Sequence, residues 1–134
     1  MSLPKVVMAS GVFDLLHRGH INLLWQAREL GDLLVIGIVS DGGTMAYKGR
    51  MPVQAWSVRA HAVAQLGLGL VEYQPGTDPT PLLERFRPDI LVHGDDWATL
   101  KEGQATVERL GIEWRLVPYT PGISTTQLRA EVAA

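Results

Sequence analysis

The sequence predicts an α/β fold in which a doubly wound, parallel five-stranded sheet lies between two layers of helices. Its 134 residues alternate short apolar runs with helical patterns throughout. Such alternation is typical of a Rossmann-like, three-layer α/β/α domain with right-handed crossovers. The run Leu33–Val39 is nearly all apolar, as a parallel strand covered on both faces should be. The length suits one sizeable core, so we expect a single domain over residues 1–134.

In the first half of the chain, a strand and a helix precede the strand Leu33–Val39, and a glycine-rich segment and a second helix follow it. Lys5–Ser10 is a short apolar run and predicts the first strand. Ile21–Leu30 carries apolar residues along one side and predicts a helix. Ser40–Pro52 is rich in glycine and irregular, so we expect a mobile loop over the site there. Ala55–Leu66 predicts the next helix.

The second half of the chain continues the alternation of strands and helices. Its predicted elements are a strand at Leu70–Tyr73, a brief helix from Asp78 to Phe86, a strand at Asp89–His93, a helix at Glu102–Leu110, a strand at Ile112–Leu116 and a final helix from Ser124 to Val132. Apolar and polar residues alternate in the last strand, which is typical of a sheet edge. Ligands of such sheets bind at the carboxyl ends of the strands, so we expect the turns that follow strands to gather there.

The composition favours a cytoplasmic enzyme or binding protein and argues against several partners. Hydrophobic residues make up 46% of the chain, charged residues 19%, and the net charge is −2. This balance suits a globular protein and gives no basic footprint for nucleic acid or a membrane surface. There is no cysteine, which excludes disulfides and thiolate zinc sites. No signal peptide or long apolar span is present.

The most informative stretch is Gly11–His20, which follows the first predicted strand and precedes the first helix. His17 and His20 lie near a helix N-terminus, where unpaired N–H groups and the helix dipole favour anions. Gly19 between them lets backbone approach a ligand closely. A zinc site is disfavoured because no convincing third ligand accompanies the pair. We expect a phosphate site; the alternative is an ordinary loop histidine beside a helix-facing one.

The usual phosphate-binding fingerprints are absent from the chain. There is no G-x-G-x-x-G after the first strand and no G-x-x-x-x-G-K-[ST] anywhere. A dinucleotide-dependent oxidoreductase and a P-loop enzyme are therefore disfavoured.

Three further segments carry weaker signals. Gly94–Trp97 follows a strand, and its two carboxylates suit base or ribose donors or a metal; the alternative is an ordinary turn. Ser124–Thr126 caps a helix, and hydroxyls at a helix start also suit an anion. Lys48 lies in the glycine-rich segment and could close on a polyphosphate. The alternative for Lys48 and Arg59 is a role as surface charges.

Taken in order, these segments resemble the motifs of the HxGH cytidylyltransferase-like nucleotidyltransferases, most closely the glycerol-3-phosphate cytidylyltransferase type. The resemblance is carried by Gly11–His20, by Arg87–Ile90 with Gly94–Trp97, and by Gly122–Thr126. It implies the nucleotidyltransferase fold and transfer of CMP from CTP to a small alcohol phosphate, with release of pyrophosphate. It also implies Mg²⁺ bridging the phosphates, no covalent enzyme intermediate, and a homodimer.

The resemblance also implies roles for individual residues. His17 and His20 would be catalytic, with Lys48 and Arg59; Lys48, Arg59 and Asp41 would also meet the second substrate. Mg²⁺ would be held mainly through phosphates, with Asp14 as a possible contact. The implied nucleotide-binding residues are Gly11, Val12, Phe13, Asp14, His17, Gly19, His20, Gly94, Asp95, Asp96, Trp97, Tyr119, Thr120, Gly122, Ile123, Ser124, Thr125 and Thr126.

The chain departs from this pattern at the sites for phosphate and acceptor. Tyr119-Thr120 stands where the relatives carry Arg-Thr, and a tyrosine supplies no permanent positive charge. Lys48 is the one lysine of the second loop, and residues 53–100 contain none. These departures argue against glycerol 3-phosphate itself. Two alternatives remain: an adenylyltransferase using ATP, of the sugar-phosphate (heptose) or flavin-nucleotide type, and a nucleotide-binding module without turnover.

Overall fold

The computed structural model describes residues 3–94 and 102–118, which form a five-stranded sheet with flanking helices. The strands are β1 (Val6–Gly11), β2 (Leu33–Val39), β3 (Leu70–Gln74), β4 (Ile90–Gly94) and β5 (Glu113–Val117). The helices are α1 (Arg18–Glu29), α2 (Asp41–Lys48), α3 (Trp56–Ala64), α4 (Thr80–Phe86) and α5 (Gln104–Leu110). None of these helices has both the length and the apolar character needed to cross a bilayer.

The sheet is parallel throughout and has the strand order β3-β2-β1-β4-β5. The chain builds outward from β1 through β2 to β3, then crosses back to β4 and continues to β5. The strand order therefore reverses between β1 and β4, and the carboxyl end of β1 lies at the switch point where such sheets bind ligands. The prediction of a doubly wound parallel sheet is confirmed, as is the edge position of the last strand.

Two hydrophobic clusters lie on opposite faces of the sheet, which gives the predicted three layers. On β1, Val7 and Ala9 belong to the first cluster, which includes residues of α1 and α3. Met8 points to the other face and packs with residues of α4 and α5. All three side chains have no exposed surface, so β1 is covered on both faces. This central strand gives the turn after it a rigid base.

The glycine-rich segment Ser40–Pro52 is not a loop throughout, as predicted from its composition, because most of it forms α2. The Ser40 hydroxyl oxygen accepts a hydrogen bond from the Gly43 amide at 2.9 Å and caps the helix. The same hydroxyl donates to the Pro75 carbonyl oxygen at 2.5 Å. A Cβ on Gly43 would lie 2.6 Å from that carbonyl oxygen. Here glycine permits close packing of the helix rather than mobility.

β2 spans Leu33–Val39 as predicted, whereas the boundaries of the other elements differ by one to three residues, and one difference matters for the site. Helix α1 begins at Arg18, not at Ile21, because the His17 side chain caps it and the capping interaction recruits His20 into the first turn. The histidine pair therefore belongs to the helix start itself. The predicted final helix from Ser124 to Val132 lies outside the described residues.

Candidate active site

The turn between β1 and α1 has an unusual backbone. Phe13 and Leu15 have φ angles of 53° and 50°, in the left-handed region that non-glycine residues seldom occupy. Each such residue costs of order 1–3 kcal/mol and persists only where its surroundings impose it. The Phe13 ring, 3% exposed, is packed into the core and supplies one such constraint. Strain of this kind is commonly found at ligand sites, which makes the turn the first candidate.

Asp14 supplies the second constraint on the turn. Its carboxylate accepts hydrogen bonds from the amides of Val53, at 2.7 Å, and Gln54, at 3.0 Å. The Gln54 side-chain oxygen in turn accepts from the Leu15 amide at 3.1 Å. Asp14 is 1% exposed, so its two oxygens serve to join the turn to the segment before α3. Sequence reasoning missed Val53 and Gln54 because these contacts span about 40 residues and follow no local pattern.

His17 and His20 form a reciprocal cap at the start of α1. The Nδ1 atom of His17 accepts from the Gly19 amide at 3.0 Å, and the His17 amide donates to Nδ1 of His20 at 3.2 Å. The two rings stack with their centroids 3.8 Å apart. Because both Nδ1 atoms accept, each neutral ring carries its proton on Nε2. The pair therefore presents neutral N–H donors.

Burial keeps both rings in this neutral state. It lowers the pKa of His20 to about 3, and the nearby charges of His17 and Lys48 act in the same direction. Burial also lowers the pKa of His17. The edge of the Phe13 ring contacts His20, with centroids 5.5 Å apart, and contributes to its burial. At neutral pH the pair donates hydrogen bonds without carrying charge.

Lys48 brings positive charge to the histidine pair. It is the last residue of α2 and is exposed, yet its charge is near enough to depress the pKa of His20. The charge of Lys48 thus acts on a pair of N–H donors at a helix N-terminus, which is itself favourable for anions. The structure brings together three of the four residues predicted to be catalytic.

Arg59, the fourth, lies beneath the turn and has no exposed surface. Its Nη1 donates to the carbonyl oxygens of Val12, at 2.7 Å, and Val39, at 2.8 Å. Its Nε donates to the Gln54 carbonyl oxygen at 2.9 Å, and its Nη2 pairs with the Asp41 carboxylate at 2.6 Å. Asp41, predicted as a second-substrate contact, is thus engaged with Arg59.

Several predicted site residues fall outside the part of the chain that the structure describes. They are Asp95, Asp96, Trp97, Tyr119, Thr120, Gly122, Ile123, Ser124, Thr125 and Thr126. Gly94 is described as the last residue of β4, at the carboxyl edge of the sheet beside β1. Within residues 3–94 and 102–118, no group of three acidic or histidine side chains is arranged to hold a metal ion.

Comparison with known families and proteins identifies the family and the fold. The family model described as cytidylyltransferase-like matches residues 8–131. The "Bifunctional protein HldE" of Campylobacter concisus is 40% identical over 126 residues, covering 91% of this chain and 26% of that protein. The protein of the same name from Koribacter versatilis is also 40% identical, covering 92% and 26%. The chain thus spans about a quarter of the length of these curated relatives.

Solved structures show the same fold. The lipopolysaccharide core biosynthesis protein from Thermoplasma volcanium superposes with a TM-score of 0.73 at 30% identity, covering 87% of this chain and 97% of that one. Pantoate-beta-alanine ligase from Francisella tularensis, at 16% identity and a TM-score of 0.67, shares the fold alone and covers 97% and 69%. By its family match, its fold and its histidine turn, the chain belongs to the cytidylyltransferase-like family of nucleotidyltransferases.

Proposed function

We propose that the chain transfers a nucleotidyl group from a nucleoside triphosphate, preferentially ATP, to the phosphate of a sugar phosphate. The observation that carries the proposal is the pair of neutral histidines beside Lys48 at the start of α1. Such an arrangement binds phosphate oxygens without a nucleophilic side chain. Nucleotidyl transfer needs positioning and charge neutralisation more than covalent chemistry.

In the proposed reaction an oxygen of the acceptor phosphate forms a bond to the α-phosphorus. The bond between that phosphorus and the α–β bridging oxygen breaks, and pyrophosphate leaves with the electron pair. The Nε2–H groups of His17 and His20 donate hydrogen bonds to phosphate oxygens as negative charge develops on them, and Lys48 neutralises part of that charge. Loss of one such donor typically lowers the rate by about 10²–10³.

The choice of ATP and a sugar phosphate over CTP and a small alcohol phosphate has three supports. A 30% identical relative is described as a lipopolysaccharide core biosynthesis protein, and lipopolysaccharide core is built of sugars. The sugar-phosphate members of the family that the sequence resembles are adenylyltransferases. Lys48 is also the one lysine of Ser40–Pro52, and residues 53–100 contain none, which disfavours glycerol 3-phosphate. CTP with an alcohol phosphate is the second candidate, supported by the motif resemblance.

Mg²⁺ belongs to the proposal as a phosphate-bound ion. Asp14 does not suit direct coordination, because both of its oxygens accept hydrogen bonds from the backbone amides of Val53 and Gln54. Mg²⁺ commonly keeps waters and binds substrate phosphates with few protein ligands. When bound, the ion would neutralise charge on the triphosphate.

The proposal is tested by measuring pyrophosphate release with ATP and with CTP against a panel of sugar phosphates and alcohol phosphates. We expect turnover with ATP and a sugar phosphate, at a kcat/KM above that of any CTP pair. A preference for CTP would overturn the choice of nucleotide. Tight nucleotide binding without turnover across the panel would instead support a non-catalytic binding module.

His17→Asn provides a matched test of the chemistry. Asparagine is a good N-cap, so this variant keeps an oxygen acceptor for the Gly19 amide while removing the Nε2 donor. We expect an unchanged circular dichroism spectrum and a kcat lower by about 10²–10³. Near-full turnover in a folded His17→Asn protein would remove His17 from the mechanism.

A further inference from the structure

The buried Arg59 and the partly exposed Asp41 form an ion pair that joins parts of the chain distant in sequence. The Arg59 guanidinium donates to Val12 in the turn, to Val39 at the end of β2, and to the segment before α3. Its fourth hydrogen bond goes to Asp41, the first residue of α2. One side chain therefore fixes the two elements that carry the histidines and Lys48.

We propose that Arg59 and Asp41 are a positioning pair that aligns α2 with the histidine turn, and that neither residue contacts substrate. The assignment of an active site here rests on the proposed function. It differs from the roles that the family resemblance implies, in which both residues meet the second substrate. Their effect on the reaction is to hold Lys48, His17 and His20 in position.

The burial and hydrogen bonding of Arg59 support positioning over substrate contact. The side chain has no exposed surface, and its four hydrogen bonds are 2.6–2.9 Å long. A substrate phosphate would have to displace Asp41 or a backbone carbonyl to reach it. The planar guanidinium also holds its donors in a fixed fork, which suits four acceptors arriving from different directions.

The link reaches the strained turn by two routes. Arg59 holds the Val12 carbonyl directly, one residue before the left-handed Phe13. It also holds the Gln54 carbonyl, and Gln54 in turn binds Asp14 through its amide and Leu15 through its side chain. Movement of Arg59 would therefore release the turn before Phe13 and again at Asp14 and Leu15.

The experiment compares Asp41→Asn and Arg59→Lys with an exposed control, Arg85→Met. Asp41→Asn keeps the size of the side chain but removes the ion pair. Arg59→Lys keeps the positive charge but has three donors for the four oxygens that Arg59 binds. We expect each variant to lose about 100-fold in kcat, since misplacement of catalytic groups by about 1 Å has that effect, with a smaller change in either KM. Arg85 pairs with Glu72 on the surface, so its variant should retain wild-type kinetics.

A direct substrate contact predicts a different kinetic result. If Arg59 contacted the acceptor, Asp41→Asn would free its guanidinium from competition, and kcat would hold while the KM for the acceptor phosphate fell or stayed constant. If Asp41 itself contacted the acceptor, that KM would rise while kcat held. Either result would overturn the proposal.

A second readout does not depend on turnover. In Asp41→Asn we expect the NMR-titrated pKa of His20 to rise towards 6.5 as the turn admits water, and the amides of Val53 and Gln54 to exchange faster. Unchanged titration and exchange in a folded Asp41→Asn protein would overturn the proposal even if no panel substrate turned over. If Arg59→Lys fails to fold, Asp41→Asn alone decides.

Discussion

At the scale of single residues, His17 and His20 serve the fold and the site with different ring atoms. Their Nδ1 atoms accept hydrogen bonds from backbone amides at the start of α1. Their Nε2–H groups are then the donors that the proposed reaction uses to hydrogen-bond phosphate oxygens. The sequence predicted a phosphate site at these positions, but the capping geometry requires knowledge of where α1 begins, and the apolar pattern placed that start three residues too late.

Arg59 shows another limit of reading residues singly. An arginine on a helix is ordinarily a surface charge or a ligand contact, and these two alternatives were open for Arg59 from the sequence. Its burial results from long-range acceptors, at Val12 and Val39, that no local pattern reveals.

The neutral state of His20 predicts a dependence of stability on pH. The pKa of His20 is lowered from 6.5 to about 3 on folding, so between these values the unfolded chain binds the proton more strongly. Above pH 6.5, His20 is neutral in both states and does not lower the free energy of unfolding. As pH falls from 6.5 towards 3, protonation of His20 in the unfolded chain lowers the free energy of unfolding progressively. Urea unfolding at pH 4 and pH 7 should show a lower free energy of unfolding at pH 4.

The His20→Asn variant isolates this contribution. His93 is also buried with its pKa lowered to about 3, so some pH dependence will persist without His20. The difference in unfolding free energy between pH 7 and pH 4 should be smaller in His20→Asn than in the wild type. An equal difference in both proteins would show that His20 is not held neutral by the fold.

At the scale of elements, α2 is the clearest case where composition misleads. Glycines at 42, 43 and 49 suggested a loop, yet the segment is a helix with a serine cap and a left-handed terminal glycine. Gly49, at φ 74°, ends the helix in the usual way for glycine. The sequence contained both cap signals, but the helix is stabilised by close packing against Pro75 and Gly76, which are distant in sequence.

Gly42 and Gly43 offer a matched pair for testing that packing. A Cβ on Gly43 would meet the Pro75 carbonyl oxygen at 2.6 Å, so Gly43→Ala should destabilise the protein by about 1–3 kcal/mol. A Cβ on Gly42 meets nothing within 4 Å, so Gly42→Ala should raise stability by about 0.5–1 kcal/mol through helix propensity. Thermal and urea unfolding would measure both. Equal effects would contradict the close approach of α2 to the end of β3.

At the scale of the whole molecule, the sequence predicted the architecture well. The all-apolar run of β2 and the alternation of strand and helix patterns are local signals. They predicted a parallel sheet with helices on both faces, but not the strand order β3-β2-β1-β4-β5. A candidate site around His17, His20 and Lys48 was predicted from the motifs that carry those residues, and the roles of these residues stay predictions. The supporting shell was not, because Asp14, Val53 and Gln54 meet only through the tertiary fold.

Nucleotide binding should stabilise the whole fold, since the ligand binds the folded state at a site made from several segments. At a free ATP concentration of 100 times Kd, linkage gives about 2.7 kcal/mol of added stability. We expect ATP with Mg²⁺ to raise the melting temperature more than CTP at equal concentration. A larger rise with CTP would contradict the proposed nucleotide preference.

The left-handed turn at Phe13 and Leu15 also has a consequence for the order of folding. Its backbone is unfavourable until the amides of Val53 and Gln54 reach the Asp14 carboxylate. Although the turn lies near the amino terminus, we expect it to take its native shape only after the segment before α3 has docked. Nucleotide binding during refolding would then report that the segment before α3 has docked against the turn. A chain whose folding stops before this docking would bind nucleotide poorly.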